Sequence, residues 1–220
     1  MDATTIGVLG GTGPAGSAVA VRLAAAGYTV LLGSRETAKA EAKVAELRAR
    51  FPGRIDGLRG VDNATAAGTD VAILATVAES IIPTATEHAG ALADRIVVCM
   101  ANLLQKTPRG FAAVFPPEGS VAEAVQAIVP TASVIGAFQN LPAAPLGDLG
   151  SALHADVMVT GDDKDAVRTV IALIEGVDGL VPIDAGPLSN TGCVEGLTAI
   201  LINVNRARKA EHSVLFAPLH

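Results

Sequence analysis

Apolar runs alternate with amphipathic stretches along most of the chain. Continuous apolar runs are typical of strands buried on both faces of a parallel sheet. They predict strands at 6–9, 28–33, 57–60, 70–75, 95–100 and 133–138. Helical spacing and helix start and stop residues predict helices around 18–24, at 37–50, from Asp62 to Gly68, up to Gly90 and at 120–129. This alternation predicts an α/β fold built on a doubly wound parallel sheet.

The pattern changes beyond about Pro142. Strands are predicted at 156–160 and 180–183, a helix capped by Asp163 at 166–175, and a long last helix from near Pro187. We therefore predict a main domain at 1–141 and a smaller C-terminal α/β domain at 142–220 that ends in this helix. Residues 105–119 carry three prolines and two glycines, which predicts a loop.

A glycine motif follows the first strand at once. Gly11, Gly13 and Gly16 have G-x-G-x-x-G spacing and are followed by a helical pattern, the context of a dinucleotide-binding Rossmann unit. We assign the tight turn to Gly11, close approach of the backbone to a pyrophosphate to Gly13, and close helix–strand packing to Gly16. The helix N-terminus then offers N–H groups and a positive dipole end to the phosphates.

The end of the second strand distinguishes between NAD and NADP. NAD-binding units carry an Asp or Glu about 20 residues beyond the glycines, whereas this chain has Ser34-Arg35 there. Ser34 can donate a hydrogen bond, Arg35 can fork onto phosphate oxygens, and Lys39 follows on the next helix. Thr12 is close enough to help. The pattern favours NADP, although solvated charges at a helix start are the alternative interpretation.

The carboxyl ends of the other strands are the second group of candidate residues, because ligands bind there in open parallel sheets. Thr76 and Ala78 follow the strand at 70–75, Asn102 and Leu104 follow the strand at 95–100, and 139–144 follow the strand at 133–138. We expect all three segments to line one crevice.

Composition excludes several classes of function. The net charge of −6 indicates neither a nucleic-acid nor an anionic-membrane partner. No signal peptide or stretch of 18 apolar residues is present, so we predict a cytoplasmic protein. The scattered histidines, and Cys99 and Cys193 without metal-like spacing, predict no metal site.

The sequence offers no clear catalytic side chain. Nucleophile-elbow and P-loop motifs are missing, and the only tyrosine, Tyr28, precedes a strand, which excludes a Tyr–Lys proton relay. Lys106 and Glu195 are either an acid/base pair for a keto or imine substrate, or a loop charge and a helix-cap residue. A dinucleotide enzyme without a proton donor suggests hydride exchange between two bound cofactors.

Three segments, 6–16, 33–43 and 184–190 with 194–198, resemble the NADPH-dependent reductases of the deazaflavin coenzyme F-420 (F420). The resemblance covers nearly the whole chain. It implies a homodimer with a Rossmann domain and a small C-terminal domain. It also implies reversible hydride transfer between nicotinamide C4 and deazaflavin C5, with the rings stacked in the crevice and no side chain needed as acid or base.

The family's contacts can be carried over residue by residue. Thr12, Gly13, Pro14 and Ala15 match its pyrophosphate loop, and Ser34, Arg35 and Lys39 match its 2′-phosphate clamp. The family's contacts to the nicotinamide half match Ala78, Asn102, Leu104 and Ala143. Its contacts to the deazaflavin match the segment Gln139–Ala143, which includes Leu141.

This chain departs from the family at two places. Gln139 stands where a histidine is common, and Val77-Ala78 stands where proline and an aromatic residue are common. Both changes are compatible with a deazaflavin, or with a paralogue that has changed its second substrate. Arg206, Arg208 and Lys209 are candidates for the anionic deazaflavin tail by charge alone.

Two other functions stay open from the sequence. One is an NADPH-dependent reductase of a small carbonyl or imine with Lys106 or Glu195 as proton donor. The other is a non-catalytic NADP-sensing protein that binds a partner through its C-terminal helix.

Overall fold

The computed structural model describes residues 4–219 and contains ten strands within them. The strands are β1 Thr5–Leu9, β2 Thr29–Ser34, β3 Leu58–Asp62, β4 Val71–Leu74, β5 Ile96–Cys99, β6 Leu104–Thr107, β7 Gly110–Ala113, β8 Ser133–Gly136, β9 Ala155–Gly161 and β10 Leu180–Asp184. Eight of them form one sheet in the order β3-β2-β1-β4-β5-β8-β9-β10. All neighbours in this sheet are parallel except β8 and β9. The first six positions repeat the strand order of a Rossmann fold.

Helices cover both faces of the sheet, as a buried parallel sheet requires. They are α1 Pro14–Ala25, α2 Thr37–Arg50, α3 Asn63–Ala67, α4 Ala78–Glu87, α5 Ala89–Leu92, α6 Val121–Ile128, α7 Ala143–Leu146, α8 Lys164–Glu175 and α9 Thr191–Arg208. One apolar core packs α1, α2 and α8 on the sheet. A second core packs α3, α4 and α6 on the other face.

Most of the predicted elements are confirmed. Every predicted strand is present within two residues at either end, and α2 has the predicted bounds. Asp62 caps α3 by accepting from Thr65 N at 2.7 Å, and Asp163 caps α8 by accepting from Asp165 N at 2.9 Å. The helix expected to reach Gly90 is divided at His88 into α4 and α5.

The loop predicted at 105–119 is wrong in its first half, where β6 and β7 form an antiparallel hairpin. The prolines that indicated a loop lie outside the paired positions. The hairpin is fastened to α9 by Asn203, which donates to Phe111 O and accepts from Phe111 N, both at 2.8 Å. A Cβ at Gly110, which has φ +138°, would lie 2.2 Å from Asn203 Oδ1, so glycine is required there.

The C-terminal part of the chain continues the same sheet. β9 pairs with β8 through Gly161 opposite Ile135 and Thr160 opposite Gly136, and β10 pairs with β9. Asp156 N donates to Val214 O at 2.9 Å, which holds the segment after α9 against β9. The division at residue 142 stays a prediction. Within residues 4–219 no helix is long and apolar enough to cross a membrane.

Candidate functional site

The turn after β1 brings the start of α1 close to the sheet. Gly10 has φ +71°, and a Cβ there would lie 2.5 Å from Thr76 Cγ2. The left-handed residue of the turn is therefore Gly10 and not Gly11, which corrects the role predicted for Gly11. Gly11 is needed for another reason, since a Cβ there would lie 2.7 Å from Leu32 Cγ.

The other two glycines of the motif have different surroundings. A Cβ at Gly16 would lie 2.8 Å from Gly10 O and 2.9 Å from Gly11 Cα, so α1 packs directly on the turn. A Cβ at Gly13 would meet only Gly10 O, at 3.5 Å. Gly13 thus leaves an open face, which suits the approach of a phosphate group. No side chain of the described residues caps the N-terminus of α1, so its first N–H groups are available to an anion.

A cavity of about 480 Å³ opens beside this turn, at the carboxyl ends of β1, β2 and β4; we call it the nucleotide cavity. It brings together half of the predicted cofactor residues, namely Thr12, Gly13, Pro14, Ala15, Ser34, Arg35, Lys39 and Thr76. The Thr76 hydroxyl is buried and has no hydrogen-bond partner among the described residues. A buried hydroxyl without a partner costs free energy unless a ligand or a water molecule satisfies it.

The rim of the nucleotide cavity near the end of β2 carries charges of both signs. Arg35 is exposed and forms no ion pair in the described part of the chain. Lys39 Nζ pairs with Glu36 Oε1 at 2.6 Å, and the hydrogen bond from Lys39 lowers the pKa of Glu36. Glu36 also lines the cavity. The sequence interpretation did not anticipate this carboxylate beside Arg35.

Asn63 is a second residue that the sequence interpretation missed. It is buried, lines the nucleotide cavity, and its Oδ1 accepts from Gly10 N at 3.2 Å. Its side chain therefore holds the left-handed turn from the start of α3. The sequence feature that could have indicated Asn63 is its position directly after Asp62, the predicted helix-capping residue.

A second cavity, of about 360 Å³, lies on the other side of the α1 N-terminus; we call it the acceptor cavity. It contains the predicted residues Asn102, Leu104, Gln139, Leu141 and Ala143. Ala15 lines both cavities, so they meet at the first turn of α1. The sequence interpretation missed the far wall, which comes from α9 and the segment after it: Thr198, Leu201, Ile202, Asn205, Glu211 and His212.

A hydrogen-bond network ties α9 to the strand ends at the acceptor cavity. Asn102 Nδ2 donates to Gln139 O at 3.1 Å, and the Thr198 hydroxyl lies 2.9 Å from Asn102 Oδ1. Asn140 Nδ2 donates to Thr198 Oγ1 and to Val194 O, both at 2.9 Å. The network fixes the wall of the cavity across segments that are far apart in sequence.

The segment after β8 is strained where it enters this network. Phe138 is buried and has φ +69°, which is unusual for a bulky residue. Such strain is concentrated at functional sites. Gln139 Nε2 donates to Cys99 O at 3.0 Å, while Gln139 Oε1 is buried without a partner among residues 4–219.

Three predicted cofactor residues line neither cavity. Gly11 and Gly16 lie behind the turn, where they permit its packing. Ala78 begins α4, and its neighbours Thr76 and Val77 line the nucleotide cavity instead.

The two candidate proton donors also lie outside both cavities. Lys106 is exposed on the β6–β7 hairpin. Glu195 is buried, and its carboxylate accepts from Val121 N at 3.0 Å and Ala122 N at 3.3 Å, which caps α6. Burial raises the pKa of Glu195 to about 7. Glu195 therefore has a structural role.

No group of three or more metal-ligating side chains occurs among the described residues.

A Rossmann-type sheet, a glycine turn with an open face and an adjoining second cavity are features typical of a dinucleotide-dependent oxidoreductase. Residues 5–103 match the family model described as NADP oxidoreductase, coenzyme F420-dependent. The chain is 36% identical over 213 residues to the F420-dependent NADP reductase of Methanocaldococcus jannaschii, with 94% of each chain covered. The chain therefore belongs to the F420-dependent NADP reductase family.

Two solved structures are also similar to this chain. A candidate F420-dependent NADP reductase from Arthrobacter superimposes with a TM-score of 0.77 at 25% identity, covering 97% of this chain and 100% of that one. A hypothetical protein of Sinorhizobium meliloti superimposes with a TM-score of 0.67 at 31% identity, covering 86% and 88% of the two chains.

The buried carboxyl of Glu195 predicts a pH-dependent stability. Its pKa is higher in the folded state than in the unfolded state, so its contribution is complete below the usual glutamate pKa and is lost as the pH rises through about 7. Between pH 4.5 and 8 the free energy of unfolding of the wild type should fall by about 3 kcal/mol relative to that of Glu195→Gln. Urea denaturation of both proteins at the two pH values measures this difference, and parallel pH profiles would contradict it.

Proposed function

We propose that this protein transfers a hydride reversibly and directly between NADP(H) and coenzyme F420. The names of the curated relatives support these two substrates. The observation that carries the proposal is the meeting of the two cavities at Ala15. Ligands that fill both cavities would touch at the first turn of α1, and direct transfer needs two rings in contact.

NADP(H) would occupy the nucleotide cavity. Its pyrophosphate would lie against the open face of Gly13, with Thr12, Pro14 and Ala15 around it and the N-terminus of α1 pointing at the charge. The 2′-phosphate would lie between Ser34, Arg35 and Lys39. Arg35 is well suited to this contact because its donors have no ion-pair partner within the described residues.

The nicotinamide and the deazaflavin would meet in the acceptor cavity. Asn102, Leu104 and Ala143 would line the nicotinamide side, and Gln139 and Leu141 the deazaflavin side. Gln139 replaces the histidine common in the family, and its unpaired Oε1 supports a hydrogen bond to a ligand N–H group. Ala78 is left out of these contacts because it lines neither cavity.

The chain's own residues would position the rings and exclude water, with none of them acting as acid or base on the transferred hydrogen. The bound pair supplies hydride donor and hydride acceptor, so catalysis depends on proximity and orientation. Lys106 and Glu195 lie away from both cavities. Their positions support hydride transfer between two cofactors rather than the reduction of a carbonyl or imine with one of them as proton donor.

We also propose a homodimer formed through α9. Ile200 is 58% exposed although it is apolar, and Val204 on the same helix is only partly buried. A second copy packed on this helix would cover them.

Arg206, Arg208 and Lys209, at the end of α9, remain our candidates for the deazaflavin's anionic tail. A cytoplasmic location remains a prediction.

Absorbance at the NADPH and F420 bands tests the proposed reaction. The wild type should bleach both bands in equal amounts, and Arg35→Ala should raise the KM for NADPH about tenfold with little change in kcat, because one charge-assisted contact is lost. Arg95→Ala is the matched control, since Arg95 is exposed directly before β5, at the opposite end of the strands from the cavities. Tight NADPH binding without bleaching of F420 would contradict the proposal.

The Glu36 carboxylate leads to a second kinetic prediction. It competes with the 2′-phosphate for Lys39 and repels the phosphate, so Glu36→Gln should lower the KM for NADPH about threefold at low salt. The effect should shrink at high salt and be absent for NADH, which lacks the 2′-phosphate. Glu41→Gln, on the same helix but outside the cavity, is the control. A higher KM for NADPH in Glu36→Gln would show that Glu36 instead holds Lys39 in place for binding.

A further inference from the structure

Arg22 is a buried cation whose side-chain partners are all backbone carbonyls. It lies near the end of α1 and is 9% exposed. Its Nε donates to Leu146 O at 2.7 Å, and its Nη2 lies 3.0 Å from Pro145 O, 2.6 Å from Asp148 O and 3.0 Å from Ser151 O. Desolvation lowers the pKa of Arg22. A charge this buried is retained only where several acceptors satisfy it.

The segment that Arg22 holds begins at the wall of the acceptor cavity. Leu141, Pro142 and Ala143 line that cavity, and Ala143 begins α7, which ends at Leu146. The carbonyls bonded to Arg22 belong to the end of α7 and the turn after it. The guanidinium therefore lies behind the cavity wall and outside the cavity itself.

A second contact holds the same segment to α1. A Cβ at Gly147 would lie 3.2 Å from Ala18 Cβ and 3.2 Å from Ala143 O, so α7 and α1 are already in close contact there. The first turn of α1 carries Ala15, which lines both cavities. One helix thus contributes to the nucleotide cavity at its N-terminus and holds the acceptor wall further along its length.

We propose that Arg22 is a positioning residue for the hydride acceptor, fixing the segment 141–146 against α1 so that the acceptor ring lies in register with the nicotinamide. This inference rests on the proposed function. A planar guanidinium can bond several carbonyls at once, whereas a lysine ammonium is a compact point charge on a flexible stem. The role therefore requires arginine, and retaining the charge alone does not satisfy it.

The variant Arg22→Lys tests the proposal because it should impair the use of F420 and leave the binding of NADPH nearly unchanged. We expect kcat/KM for F420 to fall about tenfold, because small displacements of positioning groups have large effects on rate. The dissociation constant of NADPH, measured by fluorescence titration, should stay within about twofold, because α1 keeps its glycine turn. Arg48→Lys is the control, since Arg48 also donates to backbone carbonyls, but to those of Asp56 and Leu58, whose segment does not line the acceptor cavity.

Gly147→Ala gives a second test that leaves the buried charge in place. Its new methyl group should push α7 from α1 by a few tenths of an ångström and lower kcat/KM for F420 in the same direction. Unchanged F420 kinetics in both variants would overturn the positioning role, as would an equal loss of NADPH and F420 affinity. If Arg22→Lys does not fold, Gly147→Ala alone decides.

A failure of the positioning role of Arg22 can be distinguished from a failure of the proposed function. A wild type that binds NADPH and never reduces F420 would refute the proposed function. In that case, hydrogen exchange of residues 141–151 in the NADPH-saturated proteins decides the positioning role. Faster exchange confined to this segment in Arg22→Lys supports it, and unchanged exchange overturns it.

Discussion

The close approach of α1 to β1 is the constraint on which the rest of the site depends. A left-handed turn at Gly10 and the missing side chain of Gly16 let the helix start directly over the strand end. This geometry leaves the first N–H groups of α1 facing the nucleotide cavity and places Ala15 between the two cavities. A side chain at either glycine would move the helix, and with it both cavities.

The acceptor cavity depends on a second, long-range arrangement. Its floor comes from the ends of β5 and β8, and its far wall comes from α9, which is held by Thr198 and Asn140. Arg22 holds the remaining wall from α1. The cavity is thus enclosed by three segments whose positions are fixed by buried polar contacts, which suits a reaction that relies on orientation.

The local parts of this architecture could be predicted from the sequence, and the long-range parts could not. Apolar runs predicted every strand of the main sheet, because buried parallel strands leave a continuous signal. Helix-forming composition and the stop at Pro52-Gly53 predicted the bounds of α2. The hairpin at 104–113 was missed because Pro108 and Gly110, with Pro116, Pro117 and Gly119 after it, make the segment resemble a loop. Thr198 and Asn102 are 96 positions apart, and no local pattern links such residues. The place of Glu36 beside Arg35 was missed because the spacing of a motif does not show which side chains lie together at the rim of a cavity.

Isotope transfer in a single turnover tests the central claim, that the rings of the two substrates meet in the acceptor cavity, next to the nucleotide cavity. NADPH carrying deuterium at C4, one stereoisomer at a time, is mixed with excess protein and oxidised F420 in ordinary water. Direct transfer predicts that one stereoisomer delivers its deuterium to C5 of the deazaflavin and that none is released to water. Deuterium in the solvent, or reduced F420 free of the label with both stereoisomers, would contradict the account.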